Sequence, residues 1–425
     1  MTFQIITLGC KANQADTAAI TSLLKTRGYE PSEKEAAADI YIINTCAVTA
    51  ESTRKSRAII RRVKKEHPNA VVAICGCFSE LNPEKLDDLG ADIIAGSKHR
   101  EQFVNALESV INGDDAPAPV PDEETEQFEM LPVGGMDGRT RALLKIQDGC
   151  ENFCTFCIVP YARGKVRSMP VEKVLESVQN LEEQGYKELV ITGIEISSWG
   201  KEFDGDLVHL LAQICNTVPQ MRVRLGSLEP RTITADFCET LKHYENLCPH
   251  FHLSLQSGSD AILQKMARKY DTKRYLQSVA LLREHFPNCA ITTDIIVGFP
   301  AESEADFEQT LTFIKTCQFA DVHVFPYSKR EGTPAAAMPN QLAKVEKTRR
   351  SKRLRAEAES LHNAFLHAQI GQRVQVLFET ENDGVASGYS MHYCPVEVCA
   401  ENLENQVKLV AIQAVKGGKL EGILV

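Results

Sequence analysis

The sequence lacks the long apolar runs of a membrane protein, and it lacks an excess of positive charge. Its apolar runs stay below the roughly 18 residues that a membrane-spanning helix needs, and residues 1–4 match the start of a strand rather than a signal peptide. We therefore expect a cytoplasmic protein without a membrane contact. Lysine and arginine number 47 against 57 aspartate and glutamate residues, and the net charge is -10. This balance argues against a protein that wraps a polyanion on all sides, although a local basic face can still bind nucleic acid.

Cysteine, in contrast, is abundant. The chain of 425 residues contains 14 cysteines, and in a reducing compartment such a number indicates metal or redox chemistry rather than disulfides. The length predicts two or three domains, and a hydrophobic fraction of 43% is sufficient for buried cores.

Three of these cysteines lie together directly after an apolar run. Cys150, Cys154 and Cys157 have the spacing C-x3-C-x2-C. Three thiolates on one tight loop can bind three irons of a [4Fe-4S] cluster and leave the fourth iron open for chemistry. The alternatives are a zinc site that takes its fourth ligand from elsewhere in the chain, or three buried thiols. The spacing favours the cluster.

Residues 1–113 are predicted to form a parallel α/β domain. Helical periodicity at 15–27, 50–66 and 100–111 separates short apolar strands at 5–8, 40–43, 70–74 and 93–94. Cys10, Cys46 and Cys77 each follow one of the first three strands, whose carboxyl ends meet at one edge of a parallel sheet. The topology thus predicts a second site with three thiolates; the alternative is three cysteines that end strands by chance. Cys75 lies on a buried strand and is predicted to be a core thiol.

Residues 114–136 have the composition of a linker. They combine four prolines with an acidic run and the pair Gly134-Gly135. Such a stretch breaks both helical and strand periodicity, so we expect a solvated connection that carries no chemistry.

Residues 137–368 are predicted to form a partial (β/α)6 barrel followed by a basic helix. Six strand-like runs alternate with helical segments, at 142–147, 189–196, 223–228, 251–255, 291–297 and 322–325. Reactive groups of such barrels lie at the carboxyl ends of the strands, where the loop of three cysteines follows the first strand. Polar residues and glycines recur at the other strand ends: Gly193, Glu195, Ser227, Glu229, Gln256, Ser257, Asp294 and Tyr327. Each alone is ordinary loop chemistry, whereas the repetition indicates a ligand-lined mouth.

The basic helix runs from about residue 342 to 367 and concentrates seven lysines and arginines in its first part. It forms either a solvated helical face or a contact surface for phosphates.

Residues 369–425 are predicted to form short strands and turns, which fits a five-stranded barrel of the oligonucleotide-binding type. Its Tyr389 and Tyr393, with His392, would stack on bases or fill the core. The remaining cysteines lack ligand spacing and are predicted to be structural: Cys215, Cys238, Cys248, Cys289, Cys317, Cys394 and Cys399.

Together these features resemble one family, the methylthiotransferases of the radical S-adenosylmethionine (SAM) class. The resemblance covers nearly the whole chain and includes three short sequence motifs: Thr7-Leu8-Gly9-Cys10-Lys11, Asn44-Thr45-Cys46-Ala47-Val48-Thr49 and Gly76-Cys77. The first of these motifs and residues 50–57 are most similar to the branch that acts on threonylcarbamoyl-adenosine in tRNA. Ala12 departs from the β-branched residue expected there, but it touches no predicted ligand.

The resemblance implies two [4Fe-4S] clusters and SAM as cofactors. Cys150, Cys154 and Cys157 would hold the SAM-cleaving cluster, and Cys10, Cys46 and Cys77 an auxiliary cluster with an open iron for sulfur. The residues matching the SAM pocket are Gly193, Glu195, Ser227, Gln256 and Asp294. No catalytic residue is implied beyond the cluster ligands. Residues 1–113 would be the methylthiotransferase domain, and residues 369–425 an RNA-binding TRAM domain.

The expected reaction places a methylthio group on carbon 2 of N6-threonylcarbamoyladenosine at position 37, next to the anticodon. One SAM methylates a sulfur on the auxiliary cluster, and a second SAM is cleaved to the radical that attacks the purine. The expected partners are the anticodon stem-loop of tRNA and a one-electron reductant such as flavodoxin or ferredoxin. The alternatives are the same chemistry on isopentenyl-adenosine tRNA or a ribosomal-protein aspartate, a SAM enzyme whose amino-terminal site only relays electrons, and a non-catalytic iron–sulfur redox sensor that binds RNA.

Overall fold

The computed structural model describes residues 1–33, 36–114, 127–134 and 140–425. It contains a parallel α/β domain, an open barrel of parallel strands and a small closed β-barrel. None of the helices in these ranges is long and apolar enough to cross a membrane.

The amino-terminal domain is built on a five-stranded parallel sheet in the order β2-β1-β3-β4-β5. The strands are β1 (Thr2–Thr7), β2 (Glu30–Pro31), β3 (Ile40–Thr45), β4 (Val71–Gly76) and β5 (Ile93–Ile94). The helices are α1 (Lys11–Thr26), α2 (Ala50–Glu66), α3 (Cys77–Leu81) and α4 (Arg100–Asn112). Every residue of β3 is buried, as expected of a central strand covered on both faces. The four predicted strands are confirmed; the two-residue edge strand β2 has no apolar signal and was missed.

The central domain contains two four-stranded sheets, ordered β7-β6-β8-β9 and β10-β11-β12-β13. The strands are β6 (Arg141–Asp148), β7 (Arg167–Ser168), β8 (Glu188–Gly193), β9 (Arg222–Leu225), β10 (Ser227–Leu228), β11 (His250–Leu253), β12 (Ala290–Val297) and β13 (Asp321–Pro326). Strands β9 and β10 are one run interrupted at Gly226, where an added Cβ would lie 2.9 Å from the carbonyl oxygen of Ile191. The two sheets thus follow each other in one curved arrangement, and the six predicted parallel strands are confirmed as β6, β8, β9 with β10, β11, β12 and β13.

Helices cover the outside of this curved arrangement. They are α5 (Val159–Arg163), α6 (Val171–Glu183), α7 (Leu207–Thr217), α8 (Ala235–Leu241), α9 (Asp260–Lys265), α10 (Thr272–His285), α11 (Glu304–Cys317), α12 (Pro334–Ala337) and α13 (Lys344–His367). One apolar core joins helices α6 to α11 and helix α13 to the strands, with Leu144, Ile191 and Phe251 each at most 1% exposed. Helix α5 packs with Ala162 into the core of the amino-terminal domain, and α12 packs with Ala335 into a smaller cluster. The polar groups at the strand ends therefore stand on a rigid base.

Several arginines of the basic helix α13 are paired with carboxylates of the same chain. Arg350 is buried and donates to Glu302 at 2.6 Å. Arg349 and Arg353 pair with Glu304 at the start of α11, at 2.5 and 2.9 Å. These arginines are neutralised within the chain, so they fasten α13 to α11. The pairs leave fewer free charges on the helix than the sequence suggests, and its contact with phosphates stays a prediction.

The carboxy-terminal domain is a closed barrel in the order β14-β15-β16-β18-β17. Its strands are β14 (Arg373–Asn382), β15 (Val385–Ser390), β16 (Pro395–Cys399), β17 (Val407–Lys416) and β18 (Lys419–Leu424). The register shifts within β14 and within β17, and such irregularities bend strands enough for closure. The five-stranded barrel is as predicted. Cys394 is buried in the domain, whereas Cys399 is exposed.

The described part of the linker is not a solvated connection. Phe128 and Val133 pack against the core of the central domain, and Leu131 packs against that of the amino-terminal domain. Glu129 accepts a hydrogen bond from Arg100 at 3.0 Å. Residues 127–134 thus bridge the two domains, which corrects the expectation for this stretch; the acidic residues at 122–126 lie outside the described ranges.

Candidate active site

The amino-terminal cysteines lie at the ends of adjacent parallel strands. Cys10 precedes α1 directly, Cys46 follows β3, and Cys77 is the first residue of α3 after β4. An added Cβ at Gly9 would lie 2.9 Å from Sγ of Cys46, so the chain before Cys10 runs against that sulfur. The charges of Cys10 and Cys46 both act to raise the pKa of Cys77. The structure thus brings together the three thiols that the topology predicted.

Glycines make this close approach possible. Gly9 and Gly76 each precede a cysteine of the cluster and both have φ near +105°. A Cβ on Gly76 would lie 2.5 Å from the carbonyl oxygen of Thr45. Only glycine adopts this conformation and fits this space without strain.

Burial disfavours the thiolate form of Cys46 and Cys77. It raises the pKa of Cys77 to about 11, although the charge of Arg163 opposes the rise. Nε of Arg163 donates to Sγ of Cys77 at 3.2 Å. Burial also raises the pKa of Cys46. A thiolate in this position is stabilised by a nearby positive charge. A set of three thiolate donors fits an iron–sulfur cluster that leaves one iron without a protein ligand.

Cys75 belongs to the opposite face of the sheet. It packs among the apolar residues beneath α1 and α4, and burial raises its pKa to about 12. Its prediction as a core thiol is confirmed.

The second set of three cysteines occupies the loop after β6. The loop is held tight, because the amide of Cys150 donates to Gly164 and the amide of Cys157 donates to Cys154, at 3.0 and 2.9 Å. Burial raises the pKa of Cys157 to about 12, and the charges of Cys154 and Cys150 contribute. Nη1 of Arg268 donates to Sγ of Cys154 at 3.1 Å. The three sulfurs thus form a second donor set of the same kind.

Four of the five residues predicted for the SAM pocket lie at the barrel mouth or beside the cysteine loop. Gly193, Ser227 and Asp294 line one cavity of about 430 Å³. Glu195 accepts a hydrogen bond from Asn152 of the cysteine loop at 3.3 Å, and its Oε1 is buried without a partner in the described parts of the chain. Gln256 is held in the sheet by hydrogen bonds to Asp294 and Ile296, and it does not line this cavity. The unpartnered carboxylate oxygen fits an ammonium group bound beside the cysteine loop.

The cavity joins all three domains. Cys10 and Lys11 line it from the amino-terminal domain, and His392, Tyr393 and Cys394 line it from the carboxy-terminal barrel. Five histidines also face it: His250, His252, His323, His362 and His392. The sulfur of Cys10 and the polar strand ends of the central barrel therefore share one chamber.

A buried charge network connects the two cysteine sites. Nη1 of Arg163 donates to Asp16 at 2.8 Å and to Asp148 at 3.2 Å. Asp148 immediately precedes the cysteine loop and also pairs with Lys145 at 2.9 Å. Burial alone would raise the pKa of Asp148, but the charges of Lys145 and Arg163 outweigh it and hold this pKa well below the usual value. The network fixes the two domains at one relative position.

Sequence reasoning missed Arg163, Arg268 and the network partner Asp16. Each contacts a group 84 or more residues away in the chain, so no local spacing could reveal it. A weak signal exists only for Arg163, which lies six residues after Cys157.

Comparison with known proteins identifies the family. Residues 144–314 match the radical SAM superfamily, and residues 2–96 match the uncharacterized protein family UPF0004. The chain is 37% identical to the threonylcarbamoyladenosine tRNA methylthiotransferase MtaB of Bacillus subtilis, over 97% of this chain and 93% of that one. It is 36% identical to a tRNA-2-methylthio-N(6)-dimethylallyladenosine synthase of Moorella thermoacetica, over 89% and 87% of the two chains. The chain belongs to the radical SAM tRNA methylthiotransferases.

Membership makes the protein an enzyme, so the interpretation as a non-catalytic redox sensor is wrong. The cofactors of this family are SAM and [4Fe-4S] clusters, a second cluster being present in methylthiotransferases. Among solved structures, the radical SAM methyltransferase TsrM from Kitasatospora setae has a similar fold. Its TM-score is 0.60 at 15% identity, over 79% of this chain and 77% of that one.

Proposed function

We propose that this enzyme adds a methylthio group to carbon 2 of N6-threonylcarbamoyladenosine at position 37 of cytoplasmic tRNA, with SAM as methyl donor and radical source. Relatives whose names carry this substrate, at 31% to 37% identity over nearly the full chain, support the proposal. The lining of the cavity supports it as well. A lysine, with two histidines whose Nδ1 atoms have no partner in the described parts of the chain, suits a substituent that ends in a carboxylate better than the hydrocarbon of an isopentenyl group.

The proposal depends most on the position of Cys10. Its side chain lines the same cavity as Gly193, Ser227 and Asp294 at the barrel mouth. A sulfur delivered from the amino-terminal site and a radical formed at the barrel therefore have one space in which to meet the substrate. A site that only relays electrons has no need to open into the substrate cavity.

The bound cofactors supply the radical and the sulfur, because carbon 2 of a purine has no leaving group for acid–base chemistry. The chain supplies position and shielding. Cys10, Cys46 and Cys77 would hold one cluster, and the cysteine loop after β6 the other. Glu195 would accept hydrogen bonds from the amino group of SAM, since its free oxygen lies beside that loop.

Arginines would adjust the electron density on the sulfurs of each site when a cluster is bound. Arg163 donates to Cys77 and Arg268 donates to Cys154. Hydrogen bonds to ligand sulfurs raise the potential of a cluster, because they stabilise the reduced form, which is more negative. Tyr393 and Cys394 line the cavity, so the carboxy-terminal barrel would help to keep water out.

The anticodon stem-loop of tRNA and a reductant such as flavodoxin or ferredoxin are the proposed partners. Tyr389 and Tyr393 stack on each other with ring centres 4.9 Å apart, and the guanidinium of Arg141 lies 5.1 Å from the Tyr389 ring. Both rings are engaged within the chain, so we do not assign them to base stacking. The RNA contacts are proposed for the outer face of the barrel.

The test uses enzyme with both clusters reconstituted, SAM, reductant and tRNA from a strain lacking the gene. Nucleosides are analysed by mass spectrometry after digestion. We expect 2-methylthio-N6-threonylcarbamoyladenosine and no methylthiolated isopentenyladenosine. Product on isopentenyladenosine tRNA or on a ribosomal protein in place of it would overturn the substrate assignment, and SAM cleavage without methylthio product on any of these would overturn the reaction.

A further inference from the structure

Lys11 is a cation in the cavity without a carboxylate partner. It is the first residue of α1, directly follows Cys10, and lines the cavity. Its Nζ lies 6.0 Å from the centre of the Tyr393 ring, and no carboxylate in the described ranges lies within ion-pair distance of it. Its side chain is exposed to the open cavity, and the guanidinium groups of Arg224 and Arg141 line a neighbouring cavity with it. An exposed ammonium group that faces a cavity without a carboxylate partner is available to a negative ligand.

Two histidines that line the same cavity as Lys11 also carry unused polar atoms. Nδ1 of His250 and Nδ1 of His392 are buried and have no hydrogen-bond partner in the described parts of the chain. His250 is 6% exposed, and its ring lies 5.2 Å from that of Tyr393. Burial lowers the pKa of His392 to about 4 and that of His250 well below its usual value, so both rings are neutral near pH 7. A neutral imidazole can still donate one N–H to an anion.

The wall behind these residues is positively charged. Arg222 and Arg224 share one carboxylate, that of Glu188, and Arg141 pairs with Glu379 at 2.6 Å. The acidic residues that line the cavity, Asp294 and Asp321, each have a histidine as partner, at 3.4 Å (His252) and 3.8 Å (His323). The field at Lys11 therefore favours a negative group.

We propose that Lys11, His250 and His392 form the subsite that receives the carboxylate of the threonylcarbamoyl group. This inference rests on the proposed function. Carbon 2 and the carbon bearing N6 belong to the same six-membered ring, so the N6 substituent must lie near the group that delivers sulfur. Lys11 is the neighbour of Cys10 in the chain, which places its charge within reach of that substituent.

The subsite also excludes the competing substrate. An isopentenyl group has no charge, and its entry would leave Lys11 and both histidines desolvated and unpaired. Specificity then comes from a cost to the wrong ligand as well as from a contact with the right one.

The test is a double comparison of enzyme and RNA. Wild type and Lys11→Met, each with both clusters loaded, are assayed on two anticodon stem-loops that carry the threonylcarbamoyl group as the carboxylate or as the carboxamide. We expect wild type to favour the carboxylate, with kcat/KM about ten- to a hundredfold higher, mainly through KM. Lys11→Met should lose that preference, and Lys11→Arg should retain most of it. Lys173→Met on α6, where Lys173 pairs with Glu176 at the outer surface, is the matched control and should behave as wild type.

The outcomes separate the two levels of the account. One outcome is that the wild type is active on the carboxylate RNA and that Lys11→Met keeps the same preference for carboxylate over carboxamide. This outcome overturns the subsite and leaves the proposed function intact. If Lys11→Met lowers kcat/KM equally for both RNAs, the lysine binds an RNA phosphate, and the subsite is also overturned. No wild-type product on either RNA overturns the proposed function itself. Iron content per chain shows that the clusters are present, and if Lys11→Met lowers it, Lys11→Gln, which keeps a polar side chain, takes its place in the same comparison.

Discussion

Arg163 donates a hydrogen bond to Sγ of Cys77 at 3.2 Å, across the boundary between the central and amino-terminal domains. The same guanidinium binds Asp16 of α1 and Asp148 at the end of β6. Its side chain is fully buried. One residue thus connects a predicted ligand of the auxiliary cluster to the strand that leads into the SAM-cluster loop.

Removing this guanidinium should strongly destabilise the protein. In Arg163→Gln, Asp16 and Asp148 would stay buried with part of their compensating charge gone, and breaking a buried ion pair costs about 3–5 kcal/mol. We expect a loss of this size in the free energy of unfolding, measured with denaturant. Arg54→Gln removes an exposed pair with Glu51 and is the control, for which no measurable change is expected. Equal stability of the two variants would contradict the role of the network.

The stability of the protein should fall between pH 6.5 and pH 4, in part because of His392. Burial lowers its pKa to about 4, whereas the unfolded chain has a pKa near 6.5. The native state therefore binds fewer protons than the unfolded state. The contribution of His392 to the free energy of unfolding is complete above pH 6.5 and is lost as the pH falls towards 4.

His392→Asn removes this titration. The difference in the free energy of unfolding between pH 7 and pH 5 should shrink by about 2 kcal/mol, which is 1.5 pKa units at 1.36 kcal/mol each. His209→Asn changes a histidine whose side chain is 79% exposed and should leave the pH dependence as in wild type. An unchanged slope in His392→Asn would show that the ring is not held neutral.

Glu195 should contribute to SAM affinity. Its free oxygen has no other partner in the described structure, and replacing a charged acceptor removes about 1.5–3 kcal/mol of hydrogen bonding. Glu195→Gln should therefore raise the Kd of SAM about tenfold or more, measured by equilibrium dialysis with the clusters loaded. Glu239→Gln, an exposed change on α8, is the control. Equal affinities would remove Glu195 from the pocket.

The fold could be predicted well where the pattern is local. The six strands of the central barrel and the strands preceding Cys10, Cys46 and Cys77 are runs of β-branched and apolar residues, so periodicity identifies them. The three distant cysteines could be placed together because parallel strands end at one edge. Both predictions use rules that need no knowledge of side-chain contacts.

The rest depends on partners far apart in sequence. The arginines of α13 look like a free basic face until Glu302, Glu304 and Glu308 are seen against them. Residues 127–134 have a linker composition, yet they pack against two cores. Gln256 does not line the cavity that Gly193, Ser227 and Asp294 share, and its place in the SAM pocket stays a prediction. Tertiary packing decided each of these positions.

Cys10→Ala tests the central claim most directly, through the amounts of 5′-deoxyadenosine and of methylthiolated tRNA nucleoside formed by one reaction. The cysteine loop after β6 is intact in this variant, so SAM cleavage should continue, while sulfur delivery into the cavity should stop. Cys75→Ala, on the other face of the same sheet, is the matched control and should form both products. The account predicts 5′-deoxyadenosine without methylthiolated nucleoside for Cys10→Ala. Methylthiolated nucleoside at the wild-type rate would contradict it.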